Sequence, residues 1–267
     1  MSRSRGWLLI ARKEVGDAIR NRQLYSNAAL FALVFALIAY LHVDRARAGY
    51  AEPVNLVGLL SGVSIVLVPA VALMLSYAAI VKPREDGQLT LLLGLPYDRR
   101  DVVVGTYLGR YVVLAVSLVA GVLAAALVTL VFSVELAAVE LGGYLVAAAV
   151  LGLAYVAIAT CLSTLTRDQT WASIGAFVVF MLFVFAWRFV PDAAVFLVNG
   201  LEMPSQRPWW HPYVGALSPS VAYERALDLV LEADPDRTLS LFGVAVLLGW
   251  AVLAPAAGYA RFKTSDL

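Results

Sequence analysis

The stretch VGLLSGVSIVLVPAVALMLSYAAIV, residues 57–81, decides how this chain folds. It holds 25 consecutive residues without Asp, Glu, Lys, Arg or His. A helix needs about 20 apolar residues to cross the hydrocarbon of a bilayer. Hydrocarbon also requires that each backbone N–H and C=O be satisfied within the segment, which a helix achieves. The stretch therefore predicts a membrane-spanning helix.

The composition of the chain favours several such helices. Of its 267 residues, 61% are hydrophobic and 15% are charged, and the mean hydropathy is +0.81. A soluble domain carries about 25% charged residues. The single cysteine, Cys161, excludes an internal disulfide and a cysteine-based metal cluster. We expect a polytopic membrane protein.

Six segments are long and apolar enough to span. Their predicted bounds are about 24–41, 57–81, 111–134, 141–166, 170–190 and 239–260. The first has the shortest apolar core, and Ala46-Arg47-Ala48 after it satisfies a signal-peptide cleavage pattern. We expect the helix to be retained, because 23 residues precede it, with cleavage as the alternative. The predicted fold is an all-α, polytopic transmembrane helical bundle that forms one domain over residues 1–267.

The distribution of basic residues predicts the orientation. With the N-terminus inside, the inner segments hold 14 of the 20 Lys and Arg residues. Short cytoplasmic loops carry such an excess, so we expect both termini and loop 82–110 in the cytoplasm and loop 191–238 outside. Arginine outnumbers lysine by 17 to 3, which hints at a GC-rich prokaryote and hence at its plasma membrane.

Between their ends the predicted spans contain no Asp, Glu, Lys, Arg or His, and Arg188 lies at the end of the fifth. Ionisable groups inside a membrane mark proton relays, ion sites and catalytic centres. Their absence counts against an ion-coupled pump and against a membrane-embedded enzyme. Small residues such as Gly105 and Gly109 favour close helix packing, and Pro69 predicts a kink.

Residues 7–22, WLLIARKEVGDAIRNR, predict an amphipathic helix that lies along the inner leaflet. One face carries apolar side chains and the other carries Arg12, Lys13, Asp17 and Arg20. The alternative is a basic flank that only sets the topology.

Residues 84–103, REDGQLTLLLGLPYDRRDVV, lie between two long apolar runs. Gly87 and Pro96 bracket a short helix in which Leu89, Leu92 and Leu93 share a face. Exposed apolar patches of this kind mark partner sites. Asp98 and Asp101 have the spacing of a capping box for a helix that continues into the third span. The alternative is a connector that rests on lipid headgroups.

This stretch resembles the signature cytoplasmic loop of ABC exporter permeases of the type 2 class. The pattern differs at Gln88 and Thr90, and neither change removes the apolar face. Further likeness lies in Ala11-Arg12-Lys13-Glu14, in LTRDQT (residues 165–170) and in LSPSVAYERAL (residues 217–227). It is nearest to the permeases of nitrous oxide reductase maturation exporters and to related archaeal permeases. The residues that match the signature loop are Glu85, Gly87, Leu89, Leu92, Pro96, Arg99 and Arg100.

The resemblance implies a permease with an N-terminal elbow helix and a short cytoplasmic coupling helix. Two permeases, expected here as a homodimer, each dock on a separate ABC ATP-binding subunit. That subunit binds ATP and Mg²⁺, because the present chain has no G-x-x-x-x-G-K-[ST] loop. We expect no cofactor on this chain and no nucleic-acid partner. The implied coupling residues are an apolar knob of Leu89, Leu92 and Leu93 with the acidic residues Glu85 and Asp86.

The outer loop offers weaker signals. Trp209, Trp210 and Tyr213 are typical of a membrane interface, and residues 217–231 predict a surface helix, which acts either as a lid over an exit path or as an anchor. His42 and His211 are predicted to be isolated and not to bind metal. Two other functions remain open: a scaffold or sensor that recruits a cytoplasmic ATPase without transport, and a membrane-embedded enzyme.

Overall fold

A computed structural model describes residues 6–49, 54–94, 97–204 and 206–264, with every side chain in these ranges except those of residues 54, 55 and 93. This part of the chain is helical and contains no strand. A π-helical segment (Met181–Phe185) and a 3₁₀ segment (Ala186–Phe189) join the α-helices Gln169–Phe180 and Val190–Val198. The α-helices are α1 (Gly6–Arg20), α2 (Gln23–Arg47), α3 (Val54–Ser76), α4 (Val81–Glu85), α5 (Gln88–Leu93), α6 (Arg99–Val131), α7 (Ala138–Leu165), α8 (Gln169–Phe180), α9 (Val190–Val198), α10 (His211–Gly215), α11 (Pro219–Leu231) and α12 (Arg237–Lys263).

Six helical segments of the described chain have the length and apolar composition to cross a membrane, which confirms the predicted all-α bundle of six spans. The third begins at Arg99 with the predicted capping box of Asp98 and Asp101, and it runs without a break to Val131. The six segments are Gln23–Arg47, Leu56–Glu85, Arg99–Val131, Ala138–Leu165, Gln169–Val198 and Arg237–Lys263.

Successive spans alternate in direction, so the segments that connect them lie at two opposite ends of the bundle. We call the end that carries α1, α4, α5 and the α7–α8 turn the elbow end. The opposite end, which carries α9, α10 and the connection into α12, is the loop end. The last turn of α12 returns to the elbow end, so both ends of the described chain lie there.

The most extensive helix contact within the described bundle joins α2 to α6. Phe31 and Phe35 of α2 are fully buried, and their rings meet edge to face with centroids 5.5 Å apart. They pack directly on Gly121 of α6, where a Cβ atom would lie 2.9 Å from Phe31 Cβ and from Phe35 Cδ2. Cleavage after Ala48 would remove α2 and uncover this surface. Retention of α2 stays a prediction, and this packing supports it.

Helix α11 corrects one expectation. The sequence predicts a surface helix over residues 217–231, but α11 packs into the bundle against α7 and α12, and Tyr223 is fully buried. Gly143 of α7 and Gly243 of α12 make room for it, since a Cβ at these positions would lie 2.7 Å from Val230 and 2.6 Å from the Ala222 carbonyl oxygen. The apolar face of α11 is therefore covered by protein.

Buried hydroxyl pairs connect the helices inside the bundle. Ser64 Oγ of α3 and Tyr144 Oη of α7 are 2.6 Å apart, and Tyr155 Oη of α7 and Ser220 Oγ of α11 are 2.7 Å apart. Such hydrogen bonds stabilise helix contacts in a membrane by about 0.6 kcal/mol each. They fix the position of α11 relative to the spans α3 and α7.

Replacing Gly121 with Ala should destabilise the protein by about 1–3 kcal/mol, because the added methyl group overpacks the α2–α6 interface. Gly142→Ala is the matched control, since a Cβ at residue 142 meets no atom within 4 Å. Thermal unfolding in detergent, followed by tryptophan fluorescence, measures the difference. Equal midpoints for the two variants would contradict the packing described here.

Candidate functional site

The site begins with a hairpin of two short helices at the elbow end. Helix α4 continues the second span after a break, and α5 follows it after the turn of Asp86 and Gly87. Gly87 has φ = 73°, a left-handed conformation that glycine adopts without steric cost. No atom lies within 4 Å of the place its Cβ would occupy, so the backbone conformation and not space requires glycine.

The leucines of α5 divide between the interior and the surface, which differs from the predicted exposed face. Leu89 is 2% exposed and belongs to a buried cluster with Ile10 of α1, Val102 and Val103 of α6, Phe262 of α12, and Ile80, which directly precedes α4. Leu92 is half-buried against the same cluster. Leu91, which the sequence did not single out, is 77% exposed. Leu89 therefore anchors α5 to the bundle, and Leu91 presents the apolar surface.

The exposed part of the hairpin combines this leucine with acidic and small polar residues. Two carboxylates lie next to the Gly87 turn, and Leu91 lies on the following helix. The side chain of Leu93 and residue Pro96, both predicted to contribute, lie outside the described part of the structure. We call the exposed set the hairpin tip: Glu85, Asp86, Gly87, Gln88, Thr90 and Leu91.

The two predicted arginines have different surroundings. The Arg99 guanidinium donates hydrogen bonds to the carbonyl oxygens of Phe262 (2.5 Å) and Lys263 (3.3 Å) and lies 5.3 Å from the centre of the Phe262 ring. A cation at this position satisfies carbonyls that α12 leaves free at its C-terminus. Arg99 thus joins the start of α6 to the end of α12, whereas Arg100 is exposed.

Helical structure in the second span is interrupted at residues 77–80, not at Pro69, which lies inside α3. Ser163 of α7 compensates for the interruption. Its hydroxyl oxygen accepts hydrogen bonds from the backbone N–H groups of Ile80 (2.9 Å) and Val81 (3.0 Å), and all three residues are buried. A break in a spanning helix requires such a partner from a neighbour. Sequence reasoning missed Ser163, because a lone serine in an apolar helix gives no signal of its partner.

A second contact joins α4 to the fifth span. The Glu85 carboxylate accepts a hydrogen bond from the backbone N–H of Gln169, the first residue of α8, at 3.3 Å. Asp168 caps the same helix through the N–H groups of Thr170 and Trp171. These hydrogen bonds, above all the one from Thr170, hold the pKa of the Asp168 carboxyl below its usual value. Helix α4 is therefore bonded to α7 at its start and to α8 at its end.

Helix α1 packs against α6 near this hairpin. The spacing of Gly105 and Gly109 allows the approach, because Cβ atoms there would lie 2.6 Å from the Trp7 carbonyl oxygen and from Glu14 Cβ. The sequence predicts that the apolar face of α1 lies along the inner leaflet, but Ala11 and Ala18 of that face are buried in the protein, while Leu8 and Ile19 remain exposed.

A buried ion pair strengthens the same contact. Glu14 is 8% exposed, and its carboxylate lies 2.9 Å from the guanidinium of Arg110 on α6. Arg110 also donates to the Gln23 side-chain oxygen at 3.1 Å. The sequence indicated Arg110 only as a topology-setting charge. Removing one partner of a buried pair leaves an uncompensated charge, which is strongly destabilising.

The described residues hold no group of three His, Cys, Asp or Glu side chains that could bind a metal ion. His42 is fully buried near the end of α2 and makes no hydrogen bond within the described structure. His211 is not isolated, contrary to expectation: its Nε2 lies 2.9 Å from the Asp192 carboxylate, which Arg207 also contacts at 3.1 Å. These contacts join α9, α10 and the loop between them at the loop end.

Comparison with known proteins places this geometry in context. The family model described as ABC-2 family transporter protein matches residues 8–267. Two curated relatives, from Stutzerimonas stutzeri and Pseudomonas aeruginosa, each bear the name probable ABC transporter permease protein NosY. Each is 33% identical over 205 residues, which cover 75% of this chain and 74% of the relative.

Replacing Leu89 with Ala should lower the free energy of unfolding by about 2–5 kcal/mol, because it opens a cavity in the cluster that holds α5. Leu91→Ala should change stability by less than about 0.5 kcal/mol, as expected for a surface position. The two variants remove the same atoms from neighbouring positions of one helix. Thermal unfolding in detergent compares them, and equal losses would show that Leu91 is also packed.

Proposed function

This chain belongs to the ABC-2 transporter family, and we propose that it is the permease subunit of an ATP-driven exporter whose ATP-binding subunit docks on the hairpin tip. The relatives are ABC transporter permeases by name, and six spans provide the membrane part. One observation carries the proposed docking site: Leu91, on the helix that follows the acidic turn, is 77% exposed.

The source of energy lies on another chain. These 267 residues contain no Gly-Lys pair, and hence no G-x-x-x-x-G-K-[ST] loop for cradling phosphates. ATP and Mg²⁺ are therefore bound by the partner subunit. The present chain supplies the membrane path and the contact through which nucleotide-driven movement reaches it.

The elbow end faces the cytoplasm in this proposal, with both termini on that side of a prokaryotic plasma membrane. The support is the distribution of charge, since segments assigned to this side hold 14 of the 20 basic residues. An ATP-binding subunit works where ATP is, so the same orientation gives it access to the hairpin tip.

The chemistry of the hairpin tip defines the partner surface. An exposed leucine on a six-residue helix fits an apolar groove, and exposed apolar surface of this kind marks interaction sites. Glu85 and Asp86 provide negative charge beside it, which complements basic side chains and favours correct encounter. Leu89 acts from beneath by holding α5 in place.

Movement of the hairpin passes to the bundle through identified hydrogen bonds. The Ser163 hydroxyl holds the start of α4 to α7, and the Glu85 carboxylate holds its end to α8. Arg99 joins the start of α6 to α12. The partner therefore cannot shift the hairpin without moving α7 and α8 or breaking the hydrogen bonds of Ser163 and Glu85. The route includes α7 and α8 in addition to the expected connection into the third span.

A second copy of the chain completes the proposed assembly. The fifth span is weakly covered by the rest of the described bundle, and its exposed side chains include Trp171 (66%) and Phe177 (62%). An apolar face along a span serves equally for lipid and for a partner helix, so the homodimer rests on family likeness. Its packing in a membrane would depend on van der Waals contact more than on the hydrophobic effect.

Leu91→Asp should abolish co-purification with the ATP-binding subunit and the stimulation of its ATP turnover, because a charge replaces the apolar contact. Leu91→Met is the matched control and should retain both. Membrane insertion and thermal stability should equal those of the wild type, since Leu91 is exposed. Pull-down and ATP turnover in nanodiscs measure the effect.

Unchanged turnover with Leu91→Asp would defeat the assignment of the docking site. A separate assay distinguishes a transporter from a recruiting scaffold. Turnover that cargo candidates stimulate in sealed vesicles indicates transport, whereas binding of the ATPase without any cargo response favours the scaffold.

Ser163→Ala should uncouple the complex, because the N–H groups of Ile80 and Val81 lose their acceptor and α4 is freed from α7. The subunits should still bind each other, while the conformational response of the spans to nucleotide is lost. Spin labels on the hairpin and on the α7–α8 turn, in a Cys161→Ala background, report that response as a change of distance.

Thr160→Val is the control for this substitution. Thr160 lies one turn earlier on α7, is fully buried, and donates only to Val156 of its own helix at 2.8 Å. Its loss should leave the nucleotide-dependent distance change intact. A wild-type distance change in Ser163→Ala would show that the hydroxyl does not transmit movement.

A further inference from the structure

A groove of about 430 Å³ opens between the fifth span and α12. One wall is a stripe of α12 formed by Val246, Gly249, Trp250 and Leu253. These positions recur at intervals of three and four residues, so they share one face of the helix. The adjacent stripe of α12, which includes Leu247 and other buried residues, packs into the bundle. The groove therefore runs along α12 next to the stripe that packs into the bundle.

The other wall is the irregular part of the fifth span. Phe183 belongs to the π-helical segment and Trp187 to the 3₁₀ segment, and Leu217 closes one end. The Phe183 and Trp250 rings, one from each wall, touch edge to face with centroids 5.3 Å apart, so the two walls are in contact at this point of the groove. Ser218 Oγ donates to the Phe183 carbonyl oxygen at 2.9 Å, which holds the π segment in place. Such segments occur often at functional sites.

The walls offer nothing for a polar ligand to bind. The Trp187 indole N–H donates to the Val214 carbonyl oxygen (3.1 Å), and the Trp250 indole N–H donates to that of Leu217 (3.0 Å). The remaining lining side chains are hydrocarbon. Water in a cavity needs two to four polar partners, and apolar cavities stay dry. The occupant is therefore apolar.

The groove lies at membrane depth and opens sideways. Phe183 is near the middle of the Gln169–Val198 span, and Trp250 is near the middle of α12. Leu253 at the mouth is 68% exposed, and its neighbour Val252 is 65% exposed. The medium at this depth is lipid hydrocarbon. An empty gap would forfeit dispersion contacts along both walls, which a flexible chain from that medium restores.

We propose that this groove binds one acyl chain of a bilayer phospholipid. Its volume falls within the range of about 300–1,000 Å³ typical of small-molecule sites. The bound chain fills the gap between the fifth span and α12, and it packs against the two tryptophans whose N–H groups hold the α10–α11 segment. The site is separate from the hairpin tip and does not depend on docking of an ATPase.

The test uses the full chain in nanodiscs made with phospholipid that carries a photoreactive diazirine in its acyl chain. After irradiation, mass spectrometry of peptides compares labelling of the groove with labelling of α2, where Leu33 and Leu37 are ordinary lipid-exposed residues (72% and 58% exposed). Preferential labelling of Phe183, Leu217 and Trp250 is expected. Equal labelling of groove and α2 would overturn the proposal, since it would indicate only surrounding lipid.

Gly249→Leu should reduce labelling of the groove to the level of α2. A Cβ at residue 249 meets no atom within 4 Å, so the new side chain can enter the groove without displacing its neighbours. Ala245→Leu, an exposed position on the same helix outside the lining, is the matched control and should change nothing. Gly249→Val serves the same purpose should the larger variant unfold.

Undiminished labelling in a folded groove-filled variant would also overturn the proposal. So would cross-links between two copies at Trp250, because a second copy would then occupy the groove. No nucleotide or ATP-binding subunit is needed, so a failed docking test with Leu91→Asp leaves this experiment unaffected.

Discussion

Hydrocarbon offers no partner to a free backbone amide or carbonyl, and the irregular points of this bundle are arranged around that constraint. Where the second span breaks, the hydroxyl of Ser163 accepts the two freed N–H groups. Where the fifth span widens into a π segment, the hydroxyl of Ser218 donates to the Phe183 carbonyl. In both cases a neighbouring element supplies the missing partner, so each irregularity is also a contact between elements. The hydrogen bonds made where a span departs from regular helix therefore also join that span to a neighbouring element.

The elbow end shows how a short segment gains rigidity in such a protein. Helix α5 has six residues and cannot be stable alone, because short helices depend on packing. Leu89 inserts it into a small cluster with α1, α6 and α12, and Arg99 closes the end of α12 beside it. The buried Glu14–Arg110 pair fixes α1 to α6 in the same region. A force applied to the hairpin tip therefore acts on a connected unit.

The sequence predicts the spans well because length and lack of charge are enough to recognise them. The capping box at Asp98 was also visible, since both partners lie within four residues. The orientation of α5 cannot be predicted in the same way. Periodicity shows that Leu89 and Leu92 share a face, but whether that face points inward depends on contacts with Ile10 and Phe262, which are distant in sequence. The same limit applies to α11 and to Ser163, whose partners lie on other helices. The sequence therefore predicts residues whose role is local, such as Asp98, and does not predict those whose role depends on contacts with distant helices, such as Ser163.

The return of α12 to the elbow end has a practical consequence for work with this protein. The carbonyl groups of Phe262 and Lys263 are bonded to Arg99, a few residues from the hairpin. An affinity tag or fluorescent fusion attached directly after α12 would start beside this surface, and one attached directly before α1 would start at the same end of the bundle. Either could block assembly sterically and imitate a loss-of-function variant. An epitope inserted between α9 and α10, at the loop end of the bundle, avoids that artefact.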